Sequence, residues 1–181
     1  MSLSFAILGL LTFQPMSGYT LKSRYFDRSI AHFWPADQAQ IYRTLQQLEA
    51  GGAVESEVVD NSGRPNSKLY AITSAGRESL EGWLAATHKI APLRDAFLVQ
   101  LYFGRLLSRD QMLVVLQGRR AEHARQLDYF RKLQLPEPDS DQMRRQLLFG
   151  EMTLDFARRN EAMMLDWLDA CIATVAALSD D

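Results

Sequence analysis

The first half of the chain contains three segments in which apolar residues recur at the spacing of an α-helix. Residues 3–13 are apolar on most of their surface, which predicts a short buried helix. A loop at residues 14–17 precedes a second predicted helix of about ten residues. The third segment, residues 35–52, opens with a proline and closes with two glycines, as helices often do. Asp37 and Gln40 fit a capping box at its start, so three consecutive helices are predicted.

The third predicted helix has one apolar face and one polar face. Ile41, Leu45 and Leu48 fall at i, i+4 and i+7, which places them on one side. Arg43 lies opposite, flanked by the glutamines at positions 40, 46 and 47. Arg and Gln can each form two hydrogen bonds with the edge of a base, so this face suits a helix that reads the major groove. An ordinary solvated helix face is the alternative.

Beyond residue 52 apolar and polar residues alternate, which is the pattern of a β-strand. Residues 54–60 and 68–73 form two such stretches, separated by turn-forming residues at 61–66. Three helices followed by a β-hairpin are typical of a winged helix-turn-helix. The two-stranded wing carries Arg64 and Lys68 at its tip, and these cations suit phosphates or a minor groove. A solubilising hairpin tip is the alternative, but a polar helix and a cationic wing together favour DNA binding.

The second half of the chain is predicted to be helical throughout. A helix from Ala75 to about residue 89 completes the winged domain, and a break at residues 90–92 marks the boundary. We therefore predict a mainly α protein with a winged helix-turn-helix domain at residues 1–90 and an all-α dimerisation domain at residues 91–181. The predicted helices of the second domain are residues 93–106, a long helix from the capping box of Ser108 and Gln111 to about Leu135, and a last helix at residues 141–178.

The last predicted helix carries an apolar seam whose members are three, four or multiples of seven residues apart. The residues assigned to it as dimer contacts are Leu154, Met164, Leu168, Cys171, Val175 and Leu178. A seam of this length packs on another long helix. We predict that it joins two copies of the chain, because helices that read DNA half-sites usually occur as two-fold pairs. An intramolecular hairpin with the preceding long helix is the alternative.

Composition limits how strongly electrostatic attraction can hold DNA. The 181-residue chain is 47% apolar, which is enough for a core, and its net charge is −2. Residues 1–77 hold seven Lys/Arg against six Asp/Glu, a balance of +1. Affinity for DNA must therefore come from a few well-placed cations rather than from a broad basic surface.

The sequence lacks the motifs of enzymes, metal sites and membrane spans. It has no phosphate-binding glycine loop, no Gly-x-Ser-x-Gly and no metal-ligand cluster, so neither catalysis nor a metal or other cofactor is predicted. Cys171 is the only cysteine, which favours a reducing compartment. No stretch reaches the roughly 20 apolar residues of a membrane span. We therefore expect a cytoplasmic protein with no membrane partner.

Four phrases in the first 90 residues resemble those of the PadR family of bacterial transcriptional regulators. They are AILGLL, MSGYTLK, QIYRTLQQLEAGGAVES and GRPNSKLYAITSAGRESLEGWL, in the order and spacing typical of the family. The second half, from LRDAFLVQLYF to the last helix, resembles the larger members with an extended helical dimerisation domain. The resemblance implies a homodimeric winged-helix protein that binds a palindromic operator on double-stranded DNA, often a repressor released by a small aromatic effector.

The resemblance also assigns DNA contacts to individual residues. It places them at Gln38, Gln40, Tyr42 and Arg43 of the third helix and at Arg64 and Lys68 of the wing. Side-chain chemistry adds Gln47 as a base contact beside Gln40 and Arg43, and it assigns Tyr42, Arg64 and Lys68 to the DNA backbone.

Two aromatic positions have more than one interpretation. In some relatives a tryptophan of the last helix lines an effector pocket, and Trp167 is the residue that corresponds, with core packing as the alternative. Phe33 and Trp34 are expected in the core of the first domain. A protein-interaction module and an activator of the same fold are the alternative functions.

Overall fold

The computed structural model describes residues 2–59 and 67–178. The chain divides into two compact units, Met1–Ile90 and Ala91–Asp181. In the described part of the chain all β-strands belong to the first unit, and the second unit consists of helices and loops.

The N-terminal unit has the element order of a winged helix-turn-helix, as predicted. Its elements are α1 (Ser2–Leu11), β1 (Met16–Ser17), α2 (Gly18–Thr20, continued as a π-helix by Leu21–Ser29), α3 (Gln38–Ala50), β2 (Val54–Val59), β3 (Ser67–Ile72) and α4 (Ser74–Ala85). The π-helical part of α2 ends with a hydrogen bond of 3.1 Å from the Ile30 N–H to the Tyr25 carbonyl.

The sheet has one strand more than the predicted two-stranded wing. Its antiparallel strands lie in the order β1-β3-β2, and Met16 pairs with Tyr70 while Ser17 pairs with Leu69. The sequence pattern predicts a loop at residues 14–17, because two residues are too few to show an alternation. β1 forms nonetheless, since an extended segment beside β3 satisfies backbone groups that the edge of a hairpin leaves unpaired.

The core of the N-terminal unit fixes α3 in place. Ile41 and Leu45 are fully buried, and they pack in one cluster with side chains from α1, α2, the sheet and α4. Tyr70 of β3 belongs to the same cluster and is also buried. The apolar face predicted for the third helix is therefore the buried face, and the opposite face meets solvent.

Close backbone packing ties the end of α3 to the start of α4. Gly52 has a φ of 71°, a left-handed conformation that glycine adopts with little strain. The Thr73 hydroxyl donates to the Gly52 carbonyl oxygen at 2.7 Å. A methyl group at Gly76 would lie 2.0 Å from the carbonyl oxygen of Ala53, so glycine is required there. The turn from α3 into the wing is thus held against α4.

The C-terminal unit is dominated by an antiparallel helical hairpin. Its elements are α5 (Ala96–Tyr102), a 3₁₀ turn (Gly104–Leu106), α6 (Arg109–Lys132) and α7 (Asp141–Ala176). Arg120 of α6 binds Asp169 of α7 through two bonds of 2.5 and 2.9 Å. His123 of α6 lies 2.5 Å from Glu161 of α7. The later residue of α6 pairs with the earlier residue of α7, as expected for antiparallel helices. The two pairs fix the register of α6 against α7.

Several helix boundaries in this unit differ from the sequence prediction, and α7 also ends two residues earlier, at Ala176. The single helix predicted at residues 93–106 is instead α5 followed by a 3₁₀ turn, and Asp95 caps α5 by accepting from the Phe97 N–H at 2.9 Å. α6 ends at Lys132, three residues before the predicted end. Helix ends depend on local caps that periodicity does not record. No helix among the described residues is both long and apolar enough to cross a membrane.

Candidate nucleic-acid interface

The solvent face of α3 presents a row of four residues farthest from the core. Ala39, Arg43, Gln46 and Ala50 are all exposed, and their spacing of four, three and four residues aligns them along the helix. The Arg43 Nε–H donates to the Ala39 carbonyl at 3.4 Å. Among the described residues the terminal guanidinium nitrogens of Arg43 have no hydrogen-bond partner. They are therefore available to a ligand.

Gln40, predicted from the sequence as a base contact, forms the capping box at the start of α3. Its backbone N–H donates to Asp37 Oδ1 at 2.7 Å, and its side-chain Oε1 accepts from the Asp37 N–H at 3.0 Å. The predicted capping box is therefore formed. Paired recognition of adenine uses both the oxygen and the nitrogen of a glutamine amide, and one of the two lone pairs of this oxygen already accepts from the Asp37 N–H. Gln38 and Gln47 are exposed on the two flanks of α3.

Tyr42 holds α2 and α3 together. Its ring lies so close to Gly18 that a methyl group there would be 2.7 Å from Tyr42 Cε1. Ser17 caps the start of α2, and its hydroxyl oxygen accepts from the Thr20 N–H at 3.1 Å. Tyr42 is half-buried in this contact. The ring therefore packs within the protein. The predicted contact with the DNA backbone can be made only by the Tyr42 hydroxyl.

Lys68 is bound within the chain rather than extended from the wing. Its Nζ lies 2.8 Å from Oε2 of Glu49, at the end of α3, and 5.3 Å from the centre of the Tyr70 ring. The other oxygen of Glu49 accepts a hydrogen bond from the Ser56 hydroxyl. The bond from Lys68 lowers the pKa of Glu49, and the same bond raises the pKa of Lys68. Arg64, the other predicted wing contact, lies outside the described residues.

An open groove of about 390 Å³ borders the polar face of α3. Trp34 and Leu3 line it on one side, and Gln40, Arg43 and Gln47 line it on the other. The sequence predicts Phe33 and Trp34 in the core, and this prediction is wrong. In the structure 46% of Phe33 and 38% of Trp34 is exposed. They lie in the loop before α3, where the burial of large aromatic side chains depends on neighbouring elements.

The sequence pattern places Gln46 beside Arg43 without naming it as a DNA contact, and it does not place Trp34 on this surface. Gln46 lies in the outer row of α3, on the face where the helical periodicity predicts it. Trp34 could not be predicted there, because its exposure depends on how the loop before α3 packs.

The apolar seam of α7 faces α6 of the same chain. Leu168 is fully buried in a cluster with Phe97, Met112 and Leu116, and Cys171 and Val175 pack against that cluster. Leu154 is buried with Phe130 and Ala157. Burial raises the pKa of the Cys171 thiol.

This packing corrects the assignment of Leu154 and Leu168 to a subunit interface. Side chains that α6 already covers have almost no surface left for a second chain, and the seam corresponds to the intramolecular alternative. Met164 is half-buried, and Leu178 is exposed just beyond the end of α7.

A second apolar stripe lies on α7 and remains exposed in the single chain. Its members are Leu148, Phe149, Met152, Phe156 and Met163, each at least half exposed. Phe149, Phe156 and Met163 are seven residues apart, and Met152 lies between the first two, which is the spacing of a coiled-coil seam. An exposed apolar stripe of this kind marks an interaction surface.

Trp167 packs within its own unit. It meets Phe97 edge-to-face, with ring centres 6.1 Å apart, and is half-buried against the cluster around Leu168. An open groove of about 550 Å³ lies along α5, between residues 93 and 103, and Trp167 is not among its lining residues. The groove is lined by Leu93, Leu98, Val99, Tyr102 and Phe103 together with the charged residues Arg94 and Asp95.

Comparison with known proteins gives matches to both halves of the chain. The model of the transcriptional regulator PadR-like family matches residues 7–82, and the model described as virulence activator alpha C-term matches residues 93–176. A probable transcriptional regulator of Mycobacterium tuberculosis, Rv1176c, is 33% identical over 93% of this chain and 95% of its own length. The negative transcriptional regulator PadR of Bacillus subtilis is 34% identical over 60% of each chain.

Solved structures of Bacillus subtilis PadR share the fold over nearly the whole chain. Its complex with operator DNA has a TM-score of 0.82 at 25% identity, covering 97% of this chain and 99% of that one. Its complex with p-coumaric acid has a TM-score of 0.75 at 27% identity, with the same coverage of both chains. Family and relatives are transcriptional regulators, not enzymes. Because the family model matches and a relative is similar over nearly its full length, the chain is a transcriptional regulator of the PadR-like family.

Proposed function

We propose that this regulator is a homodimeric repressor that binds a palindromic DNA operator through α3. The observation that carries the proposal is the outer row of α3, where the exposed guanidinium of Arg43 lies beside Gln46 and Gln47. Guanidinium and amide groups can each pair with two atoms on the edge of a base. The structure of Bacillus subtilis PadR with operator DNA and the name of that protein as a negative regulator support the same function.

Individual side chains contribute in different ways under this proposal. Arg43 reads a base, and Gln38, Gln46 and Gln47 extend the polar face on either side of it. Gln40 fixes the start of α3 through the capping box, and its amide N–H groups can meet DNA in the groove. Tyr42 offers its hydroxyl to the DNA backbone, and Arg64 binds phosphate from the wing. A cytoplasmic location, where a bacterial chromosome lies, is part of the prediction.

The exposed stripe of α7 is the surface that we propose to join two copies. An apolar stripe at heptad spacing is buried when an identical helix packs beside it around a two-fold axis. Helix-turn-helix dimers bind half-sites about 34 Å apart along the DNA, so we expect a palindromic operator with this spacing. Of the sequence-predicted dimer residues, Met164 and Leu178 keep partly exposed surface that such an interface can use.

A small aromatic effector is the further element of the proposal. Bacillus subtilis PadR binds p-coumaric acid in a solved structure. In this chain the groove along α5 combines apolar and aromatic side chains with the cation of Arg94, which suits an aromatic carboxylate. Trp167 of α7 packs on Phe97 of α5. Its fluorescence would therefore report a ligand that binds beside α5.

A gel-shift experiment with the DNA upstream of the gene tests the proposal. We expect the protein to retard this fragment at low salt, also in the presence of a random competitor fragment. Addition of p-coumaric acid should release the DNA. Absence of retardation at low salt would instead favour a protein partner for the α3 face. Retardation that p-coumaric acid does not change would contradict this effector while leaving operator binding in place.

A further inference from the structure

The carboxylate of Glu49 joins the end of the recognition helix to both strands of the wing. One oxygen binds the ammonium of Lys68 on β3 at 2.8 Å, and the other accepts from the hydroxyl of Ser56 on β2. Glu49 lies one residue before the end of α3. The same side chain therefore fixes the cation of the wing and the angle between the wing and α3.

Strand register explains why Lys68 points towards α3. Lys68 pairs with Val58 and Tyr70 pairs with Ser56, and paired residues of antiparallel strands share a face of the sheet. Tyr70 is buried in the core, so this is the inner face. Lys68 lies two residues farther along the same face, beyond the core, where it reaches the end of α3. Glu55 and Glu57 alternate with Ser56 and lie on the outer face.

The Glu49–Lys68 pair removes a cation from the small number that this unit can offer to DNA. Residues 1–77 have seven Lys/Arg against six Asp/Glu. The ammonium of Lys68 lies 2.8 Å from a carboxylate oxygen of Glu49, which offsets its charge, and the bond raises the pKa of Lys68. Attraction to phosphate is the part of DNA binding that does not depend on sequence. A pair that neutralises Lys68 thus lowers affinity for every sequence alike.

We propose that Glu49 is a positioning residue for operator selectivity, which withholds Lys68 from DNA phosphates and fixes the wing against α3. The inference rests on the proposed DNA binding. With Lys68 held, binding depends on the base contacts of α3, and the difference between operator and random DNA is preserved. This assigns Lys68 to the Glu49 pair instead of the phosphate contact predicted from the sequence.

Salt titration of four proteins tests the inference: wild type, Glu49→Gln, Lys68→Gln and the double variant. Glutamine preserves an acceptor for Ser56 and removes the charge. In Glu49→Gln, released Lys68 should add one phosphate contact and steepen the slope of log affinity against log salt by about 0.9. The gain in affinity for random DNA should then be about 3.5-fold larger at 50 mM than at 200 mM salt. The ratio of operator to random affinity should fall.

The double variant and Lys68→Gln decide whether Lys68 is responsible. The double variant should return to the wild-type slope, and Lys68→Gln alone should leave that slope unchanged. Thermal unfolding of each variant, followed by circular dichroism, confirms that it is folded. Glu55→Gln is the matched control, because it removes an exposed carboxylate from the outer face of the same wing.

Three results would overturn the inference: an unchanged slope in Glu49→Gln, a slope flattened by about 0.9 in Lys68→Gln alone, or an equal steepening in Glu55→Gln. The second result would mean that Lys68 already binds phosphate while it is paired. The third would mean that any carboxylate near the wing has the same effect. If wild type binds no DNA at low salt, the proposed function itself fails and the inference falls with it.

Discussion

Arg43 and Lys68 are both exposed cations of the N-terminal unit, yet their charged groups differ in what they can bind. Arg43 makes one long bond to the backbone of its own helix, which leaves its terminal nitrogens available among the described residues. Lys68 is held by Glu49 and lies over Tyr70. Arginine also presents a planar pair of donors, which a lysine cannot do. At the scale of single residues, Arg43 is therefore the side chain that we propose for base recognition.

Replacing Arg43 with alanine should weaken operator binding by about 1–3 kcal/mol and relax the preference at one base pair of each half-site. The measurement is a fluorescence titration against the operator, its single-base variants and random DNA. Arg24→Ala removes an exposed arginine from α2 and is the matched control, which should lower affinity for all of these DNAs alike. An equal loss on operator and random DNA for Arg43→Ala would show that Arg43 does not read a base.

Among the elements, α3 and α6 both begin with a complete capping box. Asp37 and Gln40 form the first box, and Ser108 and Gln111 form the second, with bonds of 2.9 and 3.2 Å. Each box satisfies backbone N–H groups that a helix start leaves without partners. The two boxes have the same chemistry, but only the first adjoins the surface proposed to read DNA.

Asp37→Ala should lower the free energy of unfolding by about 1 kcal/mol, because α3 loses its cap. It should also weaken operator binding, since the first turn of α3 and the side chain of Gln40 are no longer fixed. Ser108→Ala provides the control. It should cost a similar free energy of unfolding in urea denaturation and leave operator binding unchanged. Equal effects of the two variants on DNA binding would show that the cap of α3 has no specific role in DNA recognition.

At the scale of the whole molecule, the two apolar stripes of α7 differ in exposure. The stripe that contains Leu154 and Leu168 is covered by α6 of the same chain. The stripe that contains Phe149, Phe156 and Met163 is open to solvent, with 66% of Phe156 exposed. Covering an aromatic residue of this size at an interface contributes roughly 2 kcal/mol or more when it is a central contact.

Phe156→Glu should therefore convert the proposed dimer towards a monomer of 20.6 kDa. A loss of about 2 kcal/mol raises the dissociation constant roughly 30-fold. Light scattering after size exclusion measures the mass, and circular dichroism should show an unchanged helical content because Phe156 is not part of the core of the single chain. Val114→Glu makes the same kind of change at an exposed position of α6 and should leave the mass unchanged. A monomeric wild type would contradict the dimer.

Much of the local structure is determined by the sequence itself. Both capping boxes, the glycine end of α3 and the alternation of the wing strands depend on residues close together in the chain. Local hydrogen bonds and backbone preferences are sufficient to specify them. The buried face of α3 also follows from its periodicity, because an amphipathic helix has one side that can be buried.

Tertiary structure decides which surface meets which. The apolar seam of α7 identifies an apolar face, and only packing shows that α6 covers it and that a second stripe stays exposed. The sequence predicts Lys68 as a cation at the tip of the wing. The strand register instead places it on the inner face, 2.8 Å from the carboxylate of Glu49, which is 19 residues away in the chain. Sequence spacing records what a face is made of. The partner of that face depends on contacts between distant residues, which form only when the elements pack.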